Sequence, residues 1–87
     1  RSIILRMLYN LSNFARKPEQ ALAYLDLYLA IDPDSSHRRL NRGLTRARLG
    51  DLAGARADFE WLLEKQPPDL NMDKIEAALL AVVPAPI

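Results

Sequence analysis

Ala21-Leu22-Ala23-Tyr24-Leu25-Asp26-Leu27-Tyr28-Leu29-Ala30-Ile31-Asp32-Pro33 is echoed 34 residues later by Ala55-Arg56-Ala57-Asp58-Phe59-Glu60-Trp61-Leu62-Leu63-Glu64-Lys65-Gln66-Pro67. Ala21 and Ala55 each stand twelve residues before a proline. Leu25 pairs with Phe59, Tyr28 with Leu62 and Leu29 with Leu63 at the same offsets. Apolar residues spaced three and four apart share one face of a helix, and a proline cannot continue a helix interior. A period of 34 residues therefore marks a repeated helical hairpin, each unit burying its apolar face only by stacking on its neighbours.

Outward from these stretches the chain divides into helices and breaks. Residues 2–15 read as a helix on the spacing of Ile4, Leu5, Leu8, Leu11, Phe14 and Ala15. Arg16-Lys17-Pro18 breaks it, and Pro18 suits the first turn of a helix over 18–31, where Glu19 meets the positive end of the dipole. Asp32-Pro33-Asp34-Ser35 is a turn, after which Ser35 or Ser36 caps a helix over 36–49 carrying Leu40, Leu44 and Ala47. Gly50 closes that helix in the left-handed region and Asp51 caps the next, over 52–65. Gln66-Pro67-Pro68-Asp69 leads to a last helix over 70–83, with Leu70, Ile75, Ala78, Leu79 and Val82 in register and Pro84 and Pro86 as its stop. No alternating strand pattern occurs. The expected fold is all-α: two antiparallel helical hairpins plus a C-terminal closing helix. A single domain holds repeat one (about 2–34), repeat two (about 36–68) and the closing helix (about 70–83).

Each repeated feature has a mechanical reason. The small Ala21/Ala55 position lets the second helix approach the first, Leu25/Phe59 fills the wedge between them, and the proline stops the helix so that another hairpin can stack. Gly43, twenty-four residues before Pro67, is small where the helices of one hairpin touch. This pattern resembles the tetratricopeptide (TPR) repeat. Two positions depart from it. Tyr9 stands where the first hairpin should be small, which puts its close packing in doubt, and Arg46 stands where the repeat usually has a tyrosine. Arg6-Met7-Leu8-Tyr9-Asn10-Leu11, Ala21 to Asp26, Ala30-Ile31-Asp32-Pro33, Arg42-Gly43-Leu44 and Ala47-Arg48-Leu49-Gly50 further resemble the C-terminal TPR tail of bacterial transglutaminase-like proteins, the family named for an invasion-gene regulator. That resemblance implies a tail behind a larger domain and carries no catalytic residue onto this chain.

Composition narrows the function. The chain has 87 residues, a formal net charge of +1 and no cysteine. A disulfide scaffold, a thiolate metal site and a cysteine nucleophile are excluded, and the balanced charge gives no global argument for nucleic acid or an anionic membrane. No apolar run reaches the roughly 18–20 residues of a membrane span. The absence of cysteine fits a reducing compartment, and we expect a cytoplasmic protein. Arg1 opens the chain inside an apolar-periodic segment, so a piece of a longer protein is expected.

In TPR arrays the first helix of each hairpin lines a concave groove. The resemblance places Ile3, Arg6, Asn10, Asn13 and Phe14 there from repeat one, and His37, Leu40, Asn41 and Leu44 from repeat two. Arg6, Asn10 and Asn41 occupy places where the carboxylate clamps of cochaperones carry a cation and two amides, which would hold a peptide carboxylate by charge-assisted bonds. The third repeat of such a clamp supplies two more cations; here those places hold Asn71 and Ile75. Residues 36–56 hold six arginines against Asp51, net +5, while residues 57–76 are net −4. The stripe Arg38, Arg42, Arg46 could take phosphates, but no aromatic residues interleave it, and pairing with the acidic helix that follows is the simpler expectation. His37, the only histidine, reads as a first-turn surface residue rather than a ligand beside Asp32 and Asp34. Trp61, on a second helix, is expected to be half exposed and to mark an interface. The apolar segment Ala77 to Ile87 is expected to cover the second hairpin or to pack on an upstream domain.

These readings converge on a non-catalytic module without cofactor or metal. It would bind a peptide or partner domain through Arg6, Asn10, Asn13, His37, Asn41, Leu44 and Trp61. The alternative is a structural or gating appendage on an upstream transglutaminase-like domain. A nucleic-acid accessory is the weakest option, and an exposed end of the array offers a further route, homo-oligomers by end stacking.

Overall fold

The computed structural model describes residues 1–83. Its helices are α1 (Ser2–Phe14), α2 (Pro18–Ile31), α3 (Ser36–Arg48), α4 (Leu52–Lys65) and α5 (Met72–Val82). No strand occurs among the described residues. Each helix packs on the next, α1 on α2 through α4 on α5, as short loops between antiparallel helices require. The result is a slab 46 × 29 × 17 Å. No helix among the described residues is long and apolar enough to cross a membrane.

Local chemistry sets the helix ends. The Ser35 hydroxyl accepts from the Arg38 N–H at 3.4 Å and starts α3. Gly50, at φ +83°, takes the left-handed turn after α3, and the Asp51 carboxylate accepts from the Gly54 N–H at 2.9 Å to start α4. The closing helix begins two residues later than the sequence suggests. Asn71 is its cap rather than an interior residue: its side-chain oxygen accepts from the N–H groups of Asp73 (3.0 Å) and Lys74 (3.3 Å). Gln66 ends α4 in the left-handed region at φ 49° without glycine's freedom, its N–H donating to the Leu62 carbonyl at 2.9 Å. The expected stop at Pro84 and Pro86 lies outside the described residues.

The core is lopsided. Ala55, Phe59 and Leu62 of α4 are fully buried, joined by Ile75 and Val82 of α5. The closing helix thus covers the second hairpin. In the first hairpin only Leu25 and Leu29 of α2 are buried, and α1 buries no residue at all. One position accounts for much of the difference. At Gly43 the α3 backbone lies so near α4 that an added Cβ would sit 2.7 Å from Cε1 of the Phe59 ring. Tyr9, in the equivalent place on α1, cannot permit that approach, and its ring turns toward Arg38 of α3 instead, 3.6 Å from guanidinium carbon to ring centroid.

Gly43→Ala should therefore destabilise the protein by about 1–3 kcal/mol through overpacking. Phe59→Ala should cost about 3–5 kcal/mol through the cavity it leaves. Urea unfolding followed by circular dichroism measures both. A neutral Gly43→Ala would contradict the close contact.

Candidate functional site

The buried Asp58 carboxylate organises the centre of the molecule. Its side chain is 2% exposed. It sits one turn after Ala55 on the side of α4 that faces α3, opposite the arginines that α3 presents four residues apart. Arg42 approaches as a fork, Nε to Oδ2 at 3.1 Å and Nη2 to Oδ1 at 2.8 Å. Arg46 donates to Oδ2 at 3.2 Å, and Arg39 stands 3.7 Å from Oδ1. Arg42 also reaches Asp26 of α2 at 3.3 Å, so one guanidinium ties the two hairpins together. The hydrogen bond to Asp58 raises the Arg42 pKa above its ordinary value, against the opposing effect of burial. Arg39 is shifted the other way, by burial first and by the nearby charge of Arg42 next. The phosphate-binding stripe that the sequence offered is thus turned inward at Arg42 and Arg46.

Arg38 and Arg39 are held by rings. Arg38 lies over Tyr9 and, at 5.8 Å, over Tyr28. Arg39 lies 4.2 Å from the Trp61 centroid and donates to the Pro33 carbonyl at 2.6 Å. Sequence reading found no aromatic interleaving, because the rings come from other helices. The half-buried Trp61 carries Arg39 on its face and lines neither of the two grooves that flank α3.

The first groove, about 340 Å³, lies between the C-terminal ends of α1 and α3 and the start of α2. Tyr9, Asn13, Arg16, Lys17, Asn41 and Arg48 supply most of its polar lining, and no acidic residue lines it. Among the described residues, ion pairs engage Arg1, Arg39, Arg42, Arg46 and Arg56 and leave Arg16, Lys17 and Arg48 without a carboxylate. The Tyr9 phenol is held below its ordinary pKa, first by a hydrogen bond with Asn13 and then by the charge of Arg38. The second groove, about 420 Å³, lies between α3 and α5 and is mainly apolar, with Leu40, Leu44, Leu70, Ile75 and Ala78 on its walls and Lys74 and Asp69 at its edge. Leu44 lines both grooves.

The structure thus divides the residues expected to act together. Asn13, Asn41 and Leu44 meet at the first groove. Arg6 does not join them. It lines a separate hollow with Ser2, Leu5, Tyr28 and Arg38, at the other end of α1 and beyond Tyr9, which borders both. Asn10 is exposed and lines neither groove. Arg6 and Asn41 line different hollows and Asn10 lines neither groove, so the three residues anticipated as a clamp do not share one groove here. His37 pairs with Asp69 at 2.9 Å, joining the start of α3 to the loop before α5, rather than with Asp32 or Asp34. Among the described residues no group of three His, Cys, Asp or Glu side chains could hold a metal ion. The cations of the first groove were missed because Arg16 and Lys17 read only as a helix break.

Hairpins of this order, with a glycine under the large residue of the second helix, match a known repeat. A family model described as Tetratricopeptide repeat matches residues 10–80. The chain belongs to the tetratricopeptide repeat family. No curated protein and no solved structure matches it significantly. TPR repeats generally mediate protein–protein interactions.

Two measurements check the site. Asp58→Ala strands buried arginines and should destabilise the TPR domain by about 3–5 kcal/mol, whereas Asp26→Ala, at a half-exposed carboxylate, should cost no more than about 1 kcal/mol. Equal effects of the two would contradict the central role of Asp58. Asn13→Ala should move the Tyr9 pKa upward toward the ordinary value, read by ¹³C NMR of the tyrosine rings. An unmoved titration would show that Asn13 does not hold the phenol.

Proposed function

We propose that the domain is a non-catalytic interaction module that takes an acidic-apolar segment of a partner protein across α3. A carboxylate of the segment enters the first groove, and a large apolar side chain fills the second. The observation that carries this reading is the cation set Arg16, Lys17 and Arg48, gathered with Asn13 and Asn41 at a groove without an acid of its own. Everywhere else along α3 the arginines have carboxylates or rings. Charge-assisted bonds from arginine to carboxylate are the strong class and favour this occupant, and the leucine-lined slot beside it supplies apolar burial. Exposed Leu44 is the shared wall, so a segment crossing it meets both grooves. His37 and Trp61, outside the first groove, enter this reading as rim residues at most. A cytoplasmic setting and a place behind a transglutaminase-like domain remain part of the proposal, supported by the missing cysteine and by the tail resemblance.

A labelled peptide with two glutamates followed by leucine and phenylalanine tests it by fluorescence anisotropy. Arg48→Ala should weaken binding about 10–100-fold, the equivalent of one charged hydrogen bond at about 1.5–3 kcal/mol. Leu44→Asp should weaken it comparably, Arg6→Ala should leave it unchanged, and affinity should fall with added salt. Loss on Arg6→Ala with none on Arg48→Ala would restore the clamp arrangement and overturn this one.

A further inference from the structure

The cations of the first groove come from two separated stretches. Arg16 and Lys17 join α1 to α2, and Arg48 lies in the last turn of α3. That turn suits Arg48, since a helix ends in the negative pole of its dipole. Lys17 is placed against the same preference. It is the N-cap of α2, at the positive pole, and gives the first turn no side-chain hydrogen bond. Among the described residues none of the three cations stands in an ion pair, and no carboxylate lines the groove. The wall hydroxyls of Ser12 and Thr45 donate to the carbonyls of Tyr9 and Asn41, at 2.7 and 2.8 Å. An occupant therefore meets the N–H donors of the three cations and of Asn41. Like charges gathered this way repel one another until an anion joins them, and a single carboxylate would leave two of the three uncompensated.

We propose that the anion seated in the first groove is the phosphate of a phosphorylated side chain in the partner protein. This rests on the segment-binding reading above and sharpens its acid from a carboxylate to a dianion. A phosphate monoester carries about −1.5 to −2 charge near neutral pH and three acceptor oxygens, so it can engage Arg16, Lys17 and Arg48 together. A carboxylate brings one charge and two oxygens. Arginine also pairs with phosphate through two parallel bonds, which Arg16 and Arg48 can each supply. A protein segment fits better than nucleic acid, because the cations serve one phosphate and no row of them continues. Arg42 and Arg46 are turned to Asp58, and Arg38 and Arg39 lie on rings. Beyond Leu44 the second groove has apolar walls with Asp69 at its edge. That slot receives a large apolar side chain beside the phosphorylated residue and repels a second phosphate.

Fluorescence anisotropy with three labelled peptides tests it: the glutamate-glutamate-leucine-phenylalanine peptide and its forms with serine or phosphoserine in place of the second glutamate. At about pH 7.5 the phosphoserine peptide should bind about tenfold tighter than the glutamate peptide, the gain of one further charge-assisted bond. The serine peptide should bind weakest. Arg16→Ala with Lys17→Ala, and separately Arg48→Ala, should remove most of the phosphoserine lead. Neither change should move the thermal melt, since all three side chains are exposed. At about pH 5.5, below the second phosphate pKa of about 6, the phosphate takes up a proton and the lead should narrow, while glutamate stays ionised. The glutamate peptide at the same pH carries any change in the protein itself. Equal affinity of the glutamate and phosphoserine peptides would overturn the phosphate assignment and leave the carboxylate reading standing, whereas binding of neither would overturn both. A lead that survives in both variants would place the phosphate outside this groove and overturn the proposal. Displacement of the phosphopeptide by a thymidine oligonucleotide at matching concentration would also overturn it, by giving the groove to nucleic acid.

Discussion

A single carboxylate, Asp58, is taken out of water in the middle of this protein, and the placement of α3 follows from what must be done about it. A buried carboxylate without partners is costly enough to forbid burial. Here the helix in front supplies Arg42 and Arg46 at successive turns, with Arg39 alongside. Because Arg42 also reaches Asp26, the side chain that neutralises Asp58 also links α2 of the first hairpin to α3 and α4. A guanidinium fork suits this task better than an ammonium would, since its donors are planar and fixed. Arg38 and Arg39 extend the same surface by stacking on Tyr9 and Trp61.

The second consequence is an uneven distribution of packing. Gly43 admits Phe59, and around that ring α3, α4 and α5 close a continuous apolar core. The first hairpin has Tyr9 where such an approach would need glycine, so α1 is held by half-buried contacts, by Arg1 reaching the Ile31 carbonyl and Asp32, and by Tyr9 against Arg38. What the first hairpin lacks in burial becomes accessible surface: a basic groove on one side of α1 and the exposed side chains of Ile4, Met7, Leu11 and Phe14 on another.

Much of the architecture was legible in the sequence. The 34-residue offset between Pro33 and Pro67 gave the hairpins, Ser35, Asp51 and Gly50 gave the caps and the turn, and Gly43 gave the close contact. The start of α5 was misplaced because Leu70 continues the helical spacing backward past Asn71, whose capping role shows only in its bonds to Asp73 and Lys74. The site was less legible. Charges read along the chain gave a +5 window and a −4 window, but Asp58 meets Arg42 because of the faces they occupy, one residue before Phe59 and one before Gly43. That adjacency to the closest helix contact was the available signal. Linear spacing could not show that Arg6 and Asn41 would line separate hollows, with Tyr9 bordering both.

Stability is concentrated around Phe59 and Asp58 and declines toward α1, which buries no residue. Amide hydrogen exchange of the 87-residue protein, resolved residue by residue by NMR, tests it most directly. Slowest exchange is expected in α4 and the adjoining parts of α3 and α5, intermediate exchange in α2 and fastest exchange in α1, with α1 opening well below the free energy of global unfolding. Exchange from α1 and α4 at one common free energy would contradict it.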